Sequence, residues 1–448
     1  MTALRKYQED AVEAILSGES QLLAFAPGLG KTRTAIEIAN RMRAKSVLVL
    51  CPATVKLVWR DEIKKWGAGK QWVEIPERSS AVKGTPTRHT KWRIVNFDKL
   101  SRPENGFLQE LIACGPYDII IADECHLLKT VNSARTKAVY GKGGLFERCS
   151  LYLPMSATPA VNNASELYPH LRAMVPERIQ KPGGITMSLN EFIDAYCDTK
   201  IIRLNNREIK TIQGSKNVGD LRKRMGSFIY KKTKTEVLPD LPPLQFTTVP
   251  LDITNGLFTP ENSTPFKELT DDEFIKAVQA DDHISRQIVE LGSAKAVAAV
   301  RYIHDFLVDA APTLKIIVWF TNTAPLDYAM KHLGQFHPVR IDGRDSQTAR
   351  EFAIHKFLTD HRCKIFCGNI KAAGTGITLQ NDVVMPTDVF FIQQSFSPGE
   401  NIQAAARSHR MTTKGAVLCR TFVADGSWLD NRIQQIITRK TNELAELI

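Results

Sequence analysis

Two short stretches hold residues whose types and spacing can do chemistry. Gly28-Leu29-Gly30-Lys31-Thr32 follows an apolar run, Leu22 to Ala26, and opens a pattern with Ile36, Ala39 and Met42 on one helical face. Strand, glycine-rich turn, then helix is the setting of a phosphate-holding loop. Glycines let backbone N–H groups approach closely, and a helix N-terminus adds partial positive charge. Lys31 would reach the outer phosphates of a nucleotide, and the Thr32 hydroxyl would hold magnesium. Phe25 stands where such loops usually carry their first glycine. Taken alone, the stretch also reads as a tight strand–helix turn with an exposed lysine. The second stretch is DIIIADECH, in which an apolar run from Ile119 to Ala122 delivers Asp123 and Glu124 at its C-terminal end. Parallel sheets bind ligands at that end of their strands. An aspartate there can hold the magnesium shell of a bound triphosphate, and the adjacent glutamate can orient the attacking water. An acidic pair after a strand is common by itself, but downstream of Lys31 and Thr32 it points to hydrolysis of a nucleoside triphosphate.

Weaker signals accompany these two. Arg5 and Gln8 lie just upstream of the loop, and a glutamine amide can donate to and accept from an adenine edge at once; Gln8 also reads as an ordinary helix residue. Ser156-Ala157-Thr158-Pro159 ends another apolar strand, where small hydroxyls suit a site that senses ligand state, or simply a proline-ended turn. Near the C-terminus, QAAARSHR reads as a helix with Gln403, Arg407 and Arg410, the arginines three apart on one face. Two such guanidiniums can serve a γ-phosphate, or form a solvated basic face. The eight cysteines are scattered, and Cys363 and Cys367 read as positions on a buried strand rather than metal ligands.

The elements that must position these groups alternate. SVLVLCPAT, RIVNF, DIIIADE and CSLYLPM read as strands separated by helices, which predicts a mostly parallel sheet covered on both faces. The rhythm weakens from about 160 to 240, where lysine and arginine accumulate. Pro239, Pro242 and Pro243 mark a linker that cannot be regular helix. A second alternating set begins near Ser293. The expected fold is α/β: two parallel-sheet lobes in tandem with a mainly helical insertion between them. The boundaries are lobe 1 at 1–175, a helical, basic protrusion at 176–235, a Pro-rich linker and helical insertion at 236–292, and lobe 2 at 293–448.

The 448 residues carry a net charge of +11, which suits a polyanionic partner such as a nucleic acid. No apolar run is long enough for a bilayer, and the first ten residues lack the apolar centre of a signal peptide, so a cytoplasmic protein without membrane association is expected.

Together, GLGKT, DECH, SATP, YKKTKTEVLPDLPP, AAGTGITL and QAAARSHR resemble the superfamily-two helicases, and within them the SWI/SNF-type ATPases. The resemblance runs from LRKYQ to the last helix. It departs at Ala26-Pro27, where that family carries an acidic residue and methionine, and at Met411-Thr412-Thr413, where it carries Ile-Gly-Gln. The resemblance implies that both lobes are RecA-like and that ATP and Mg2+ are the cofactors. Arg5, Gln8, Gly28, Leu29, Gly30, Lys31, Thr32, Gln403 and Gly376 would hold the nucleotide, and Thr32 and Asp123 the metal. Lys31, Asp123, Glu124, Arg407 and Arg410 would carry the hydrolysis, with the two arginines as arginine fingers. Ser156 and Thr158 would couple nucleotide state to DNA, and Thr54, Asn96, Phe97, Thr158, Asn322 and Gly374 would meet the nucleic acid. The compact chain is similar to phage and bacterial members that remodel forks and branches, and the expected partner is duplex, forked or branched DNA, acted on by a monomer. A conventional strand-separating DNA or RNA helicase and a non-catalytic nucleic-acid-binding scaffold stand as alternatives.

Overall fold

The computed structural model describes residues 3–79, 89–204, 207–253, 269, 271–280, 282–373, 377, 379–380, 387–410, 413 and 415–447. Its internal contacts divide the chain into two units: 1–199 with 214–237 and 443–448, and 200–213 with 238–442.

The first unit is built on a seven-stranded sheet: β1 (Leu22–Phe25), β2 (Ser46–Cys51), β3 (Gln71–Glu74), β4 (Thr90–Asn96), β5 (Tyr117–Asp123), β6 (Cys149–Met155) and, after a two-stranded ribbon of β7 (Cys197–Leu204) and β8 (Arg207–Ser215), β9 (Ile229–Lys232). The spatial order is β3-β4-β2-β5-β6-β1-β9, and every pairing is parallel. In a parallel sheet all carboxyl ends share one edge, so β5, β6 and β1, neighbours in space, present the turns after Asp123, Met155 and Phe25 side by side. The central strands read as continuous apolar runs because both their faces are covered: Val47 to Cys51 and Ile119 to Ala122 are fully buried. Three helices flank the start of this unit: α1 (Lys6–Leu16), α2 (Lys31–Arg41) and α3 (Lys56–Trp66).

The second unit carries β10 (Leu244–Leu251), β11 (Ile316–Phe320), β12 (Val339–Ile341), β13 (Ile365–Asn369), β14 (Asp388–Phe391) and β15 (Val417–Ala424) in the order β10-β15-β14-β11-β13-β12, again all parallel. Strand alternation divides its core cleanly. Ile316, Val318, Phe320, Cys367 and Phe390 pack on one face, and Ile317, Trp319, Phe366, Val389 and Phe391 on the other. Cys363 and Cys367 fall into different cores on this division, so they share no ligand site.

Two parallel-sheet lobes are therefore as expected, but the segments between them differ. Ile229–Lys232, assigned to a protrusion, is a sheet strand bonded along β1. Leu244–Leu251, assigned to a linker, pairs with β15 over its whole length. Both are edge strands, and edge strands tolerate the lysines of IYKK and the Pro250 that disguise them in sequence. The insertion keeps helices, Leu189–Tyr196, Val218–Met225 and Asp271–Ala280 among them, and adds the unexpected β7–β8 ribbon. The helix expected from Ser293 begins at Asp282 and runs to Asp309. Gly292 lies inside it, where a Cβ would meet the Gln393 amide nitrogen at 2.2 Å, so its presence marks a close approach rather than a helix boundary. Among the described residues no helix is long and apolar enough to cross a membrane.

This long helix is tied to the helix Trp428–Leu447 by a buried ion pair. Lys295 Nζ lies 2.9 Å from Asp430 Oδ2, both side chains under 5% exposed, and Asp430 Oδ2 also accepts the Ala424 N–H at 2.7 Å. Removing one member strands the other in a dry site. Lys295→Met should lower the stability of the protein by about 3–5 kcal/mol, read by urea denaturation followed through far-UV circular dichroism; an unchanged midpoint would show that Asp430 is satisfied without the lysine.

Candidate active site

The phosphate loop is shaped by its glycines. Gly28 and Gly30 have φ of 87° and 82°, in the region that side chains disfavour, and Gly30 caps α2 so that Lys31 begins the helix. Adjacent strands pin the loop: the Ala26 N–H donates to the Lys232 carbonyl at 3.0 Å, and the Ser156 N–H donates to the Leu23 carbonyl at 3.2 Å. Phe25, fully buried, is no defect at its position, because Lys31 Nζ donates to its carbonyl oxygen at 3.0 Å. From the other side, α1 braces the loop. Tyr7 Oη and Gln8 Nε2 both donate to the Leu29 carbonyl, at 3.0 and 3.2 Å, while Gln8 Oε1 accepts the Arg5 N–H at 3.0 Å. The structure thus sets Gln8, expected at an adenine edge, against the backbone of the loop, with Arg5 exposed beside it.

Asp123 ends β5 and is 8% exposed. Its Oδ2 accepts the indole N–H of Trp59 at 2.9 Å, and its Oδ1 accepts the Glu124 N–H at 3.0 Å. Burial, then the charge of Glu124, push its carboxyl up to about 6, against the pull of the Trp59 hydrogen bond and the Lys31 ammonium. Glu124 sits in the left-handed region at φ 55°, a costly place for a side-chain residue and one that active sites often keep. Its Oε2 accepts the Ser156 hydroxyl at 3.2 Å and lies 3.2 Å from His126 Nδ1, and the two partners are themselves 3.1 Å apart. Ser156 Oγ also accepts the Thr158 N–H at 3.1 Å. Three strand ends thus converge: Lys31 after β1, Asp123 and Glu124 after β5, and Ser156 after β6. Behind them His170 is wholly buried, with Tyr140 Oη 2.7 Å from its Nδ1, and burial followed by the charge of His126 lowers its pKa to about 4.

A hydroxyl from Thr32 and a carboxylate from Asp123 are hard oxygen donors of the kind magnesium takes, and no arginine among the described residues occupies the buried Asp123 carboxylate. The residues present fit that ion.

In the second unit, the helix Pro398–Ala405 carries Gln403, which is buried, but ends before Arg407 and Arg410. The expectation that both arginines share a helix face is not met. The chain leaves the helix in turns held by the Arg407 N–H donating to the Ala404 carbonyl and the Arg410 N–H to Thr413 Oγ1. The guanidiniums meet all the same: Arg407 Nη1 and Arg410 Nη2 donate to one acceptor, the Ile377 carbonyl, at 2.9 and 3.0 Å. Burial lowers Arg410 to about 10, and no carboxylate among the described residues offsets that penalty. His409 Nε2 lies 2.7 Å from the Pro242 carbonyl, which ties this segment to the proline-rich stretch before β10.

The expected nucleic-acid residues divide. The Phe97 ring is 1% exposed and serves the core, so it offers no side-chain contact. Asn96 is buried, and its amide donates to Asp98 at 3.4 Å. Asn322 Oδ1 accepts from Gln393 Nε2 at 2.8 Å, an internal bond between strand ends. The hydroxyls of Thr54 and Thr158 are buried with no hydrogen-bond partner among the described residues. Gly374 and Gly376 lie outside the described residues, as do Met411 and Thr412. A cavity of about 450 Å³ opens beside Asn96, lined by the cations Arg78, Lys99 and Arg102 and by the carboxylates Glu77 and Asp98. Sequence reasoning missed these cations, and it assigned no part to Trp59 or His126.

Family comparisons follow the same division. The model of the type III restriction enzyme res subunit matches residues 1–161, and that of the helicase conserved C-terminal domain matches residues 298–412, which contain Gln403, Arg407 and Arg410. The DNA annealing helicase and endonuclease ZRANB3 of Bos taurus is 24% identical over 446 residues, 98% of this chain and 40% of its own length. The SWI/SNF-related matrix-associated actin-dependent regulator of chromatin subfamily A-like protein 1 of Xenopus tropicalis is 28% identical over 460 residues, 99% of this chain and 45% of its own. In both matched segments the chain is similar to superfamily-two helicases, and over its whole length to proteins of the SWI/SNF-type branch. It spans less than half the length of these two relatives. A Sulfolobus solfataricus SWI2/SNF2 ATPase core, solved in complex with dsDNA, aligns with 100% of this chain and 93% of its own at a TM-score of 0.45 and 19% identity. The phosphate loop and acidic pair lie inside the first matched segment and the paired arginines inside the second.

The raised carboxyl of Asp123 has a consequence for stability. Its folded-state value of about 6 exceeds the ordinary 3.8, so the folded protein holds its proton to higher pH than the unfolded chain does. Ionising it therefore costs stability as pH rises through that window. Asp123→Asn, in metal-free buffer, should raise stability by about 1–3 kcal/mol above pH 6 and by progressively less towards pH 4. Thermal melts across pH 4–8 read this directly, and a gain independent of pH would exclude the buried charge as its source.

Proposed function

We propose that this chain is a DNA-dependent ATPase that moves on duplex DNA and remodels forked or branched DNA, including branch migration, as a monomer. The observation that carries this reading is the convergence of Lys31, Asp123, Glu124 and Ser156 at three neighbouring strand ends, alongside two guanidiniums on one carbonyl in the second unit. The relatives' printed names, a DNA annealing helicase among them, support DNA as the polymer.

In this mechanism Lys31 leaves the Phe25 carbonyl for the outer phosphates, and the loop N–H groups take the remaining phosphate oxygens. Thr32 and Asp123 would hold magnesium, which when bound neutralises charge on the β- and γ-phosphates. Glu124, held by Ser156 and His126, orients a water and takes its proton as the water oxygen bonds to the γ-phosphorus. The bond from that phosphorus to the β-bridging oxygen breaks, releasing ADP and phosphate. Arg407 and Arg410 are assigned the charge that develops on the γ-phosphoryl oxygens. A carbonyl is a weak partner for a guanidinium, so exchanging it for phosphate oxygens is favourable. The DNA backbone is assigned to the cavity beside Asn96, where Arg78, Lys99 and Arg102 supply phosphate contacts.

The double variant Arg407→Ala/Arg410→Ala should lower DNA-stimulated phosphate release by roughly 10³-fold or more, the magnitude of an arginine-finger loss, and Lys31→Ala should abolish it. The assay compares single-stranded DNA, duplex, fork and four-way junction. Fork and junction should stimulate most; equal rates on all four would contradict the remodelling reading, and full activity in the double variant would remove the arginines from the mechanism.

A further inference from the structure

We propose that Trp59 is a positioning residue that fixes the Asp123 carboxylate for magnesium and couples it to the start of α3. The proposal rests on the ATPase reading above. The indole Nε1–H donates to Asp123 Oδ2 at 2.9 Å, and the Glu124 N–H donates to Oδ1 at 3.0 Å. Each oxygen thus holds one donor and keeps acceptor capacity for another partner. The two donors come from different elements, α3 and the turn after β5, and together they fix the plane of the carboxylate. Both residues are inaccessible enough, 1% and 8% exposed, that water does not compete for these bonds.

Packing alone does not explain the bond. Trp319, equally buried, fills the second unit's core with its indole nitrogen lacking any partner among the described residues. A tryptophan can therefore serve as core here without a directed N–H. Trp59 instead gives its N–H to a charged acceptor, a bond roughly twice as strong as one between neutral groups.

The position of Trp59 on its helix supplies the coupling. α3 starts at Lys56, immediately after the turn Ala53–Val55 that carries Thr54, and Trp59 lies in its first turn. Lys56 is tethered to Glu77, which also pairs with Lys99 on the cavity beside Asn96. A phosphate backbone that engages Lys99 and Lys56 competes with the Glu77 carboxylate for these two cations and so releases the tether at the start of α3. Movement there reaches Asp123 through the indole while leaving the phosphate loop, held by α1 and β9, in place.

The conservative variant Trp59→Phe keeps an aromatic core and removes only the donor. It should leave KM for ATP within about twofold, lower the DNA-stimulated kcat by about tenfold or more, and raise half-saturating Mg2+ several-fold. A second readout needs no variant enzyme to be active. In protein labelled with 15N-tryptophan, the Trp59 indole resonance, assigned by replacing the six tryptophans singly, should move when Mg2+ is added to the ADP-bound protein and again when duplex DNA is added. A resonance unmoved by Mg2+, or a Trp59→Phe enzyme with wild-type kcat and Mg2+ dependence, would overturn the proposal while leaving the ATPase reading intact. A wild-type chain that neither hydrolyses ATP nor binds ADP with Mg2+ would instead overturn both.

Discussion

A carboxylate held charged in a nearly dry setting is the constraint around which the first unit is arranged. Asp123 cannot be solvated freely at the end of an apolar strand, so the structure supplies the indole of Trp59, the N–H of Glu124 and the ammonium of Lys31 in place of water. That compensation is incomplete, as the raised carboxyl shows, and the shortfall is the attraction such a site offers to a divalent cation. Glu124 is held in a left-handed conformation by the same turn, and its carboxylate is aimed by Ser156 and His126 from outside its own strand. None of this survives a change in strand order. The parallel sheet, with β6 between β5 and β1, is what brings Ser156 within reach of Glu124.

The second unit makes the opposite arrangement. Arg407 and Arg410 are drawn together on the Ile377 carbonyl, and burial leaves Arg410 less stably charged than an arginine ordinarily is. One unit thus concentrates carboxylates at a strand end, and the other keeps two cations on a neutral acceptor. A triphosphate with magnesium is a ligand for which each arrangement is suited separately.

The legible parts of this protein were those whose chemistry is local. Lys31 and Thr32 follow their glycines directly, and Asp123 and Glu124 end one apolar run, so strand, turn and role are read from a few consecutive residues. What depended on distant pairing was hidden. Trp59 looks like one more apolar-face residue of α3, because its partner is 64 residues away in the chain. The strands β9 and β10 were concealed by lysines and proline that only an edge position tolerates. The arginine spacing suggested a helix face, whereas the helix stops at Ala405 and the two side chains meet through a carbonyl outside it. Phe97 was carried into the nucleic-acid set by its motif, yet the core claims its ring, and the exposed cations Arg78 and Arg102 beside the neighbouring cavity had no motif to announce them.

Hydrolysis by a water oriented on Glu124 is the claim on which the account turns. Its most direct test is Glu124→Gln, which keeps the shape and the hydrogen bond from Ser156 but removes the base. Single-turnover ATP hydrolysis with saturating duplex DNA, measured beside equilibrium ATP binding, separates chemistry from affinity. The account predicts ATP binding close to that of the wild type and a hydrolysis rate lower by about 10²–10⁴-fold, the range of a general base. Hydrolysis at the wild-type rate in that variant would contradict it.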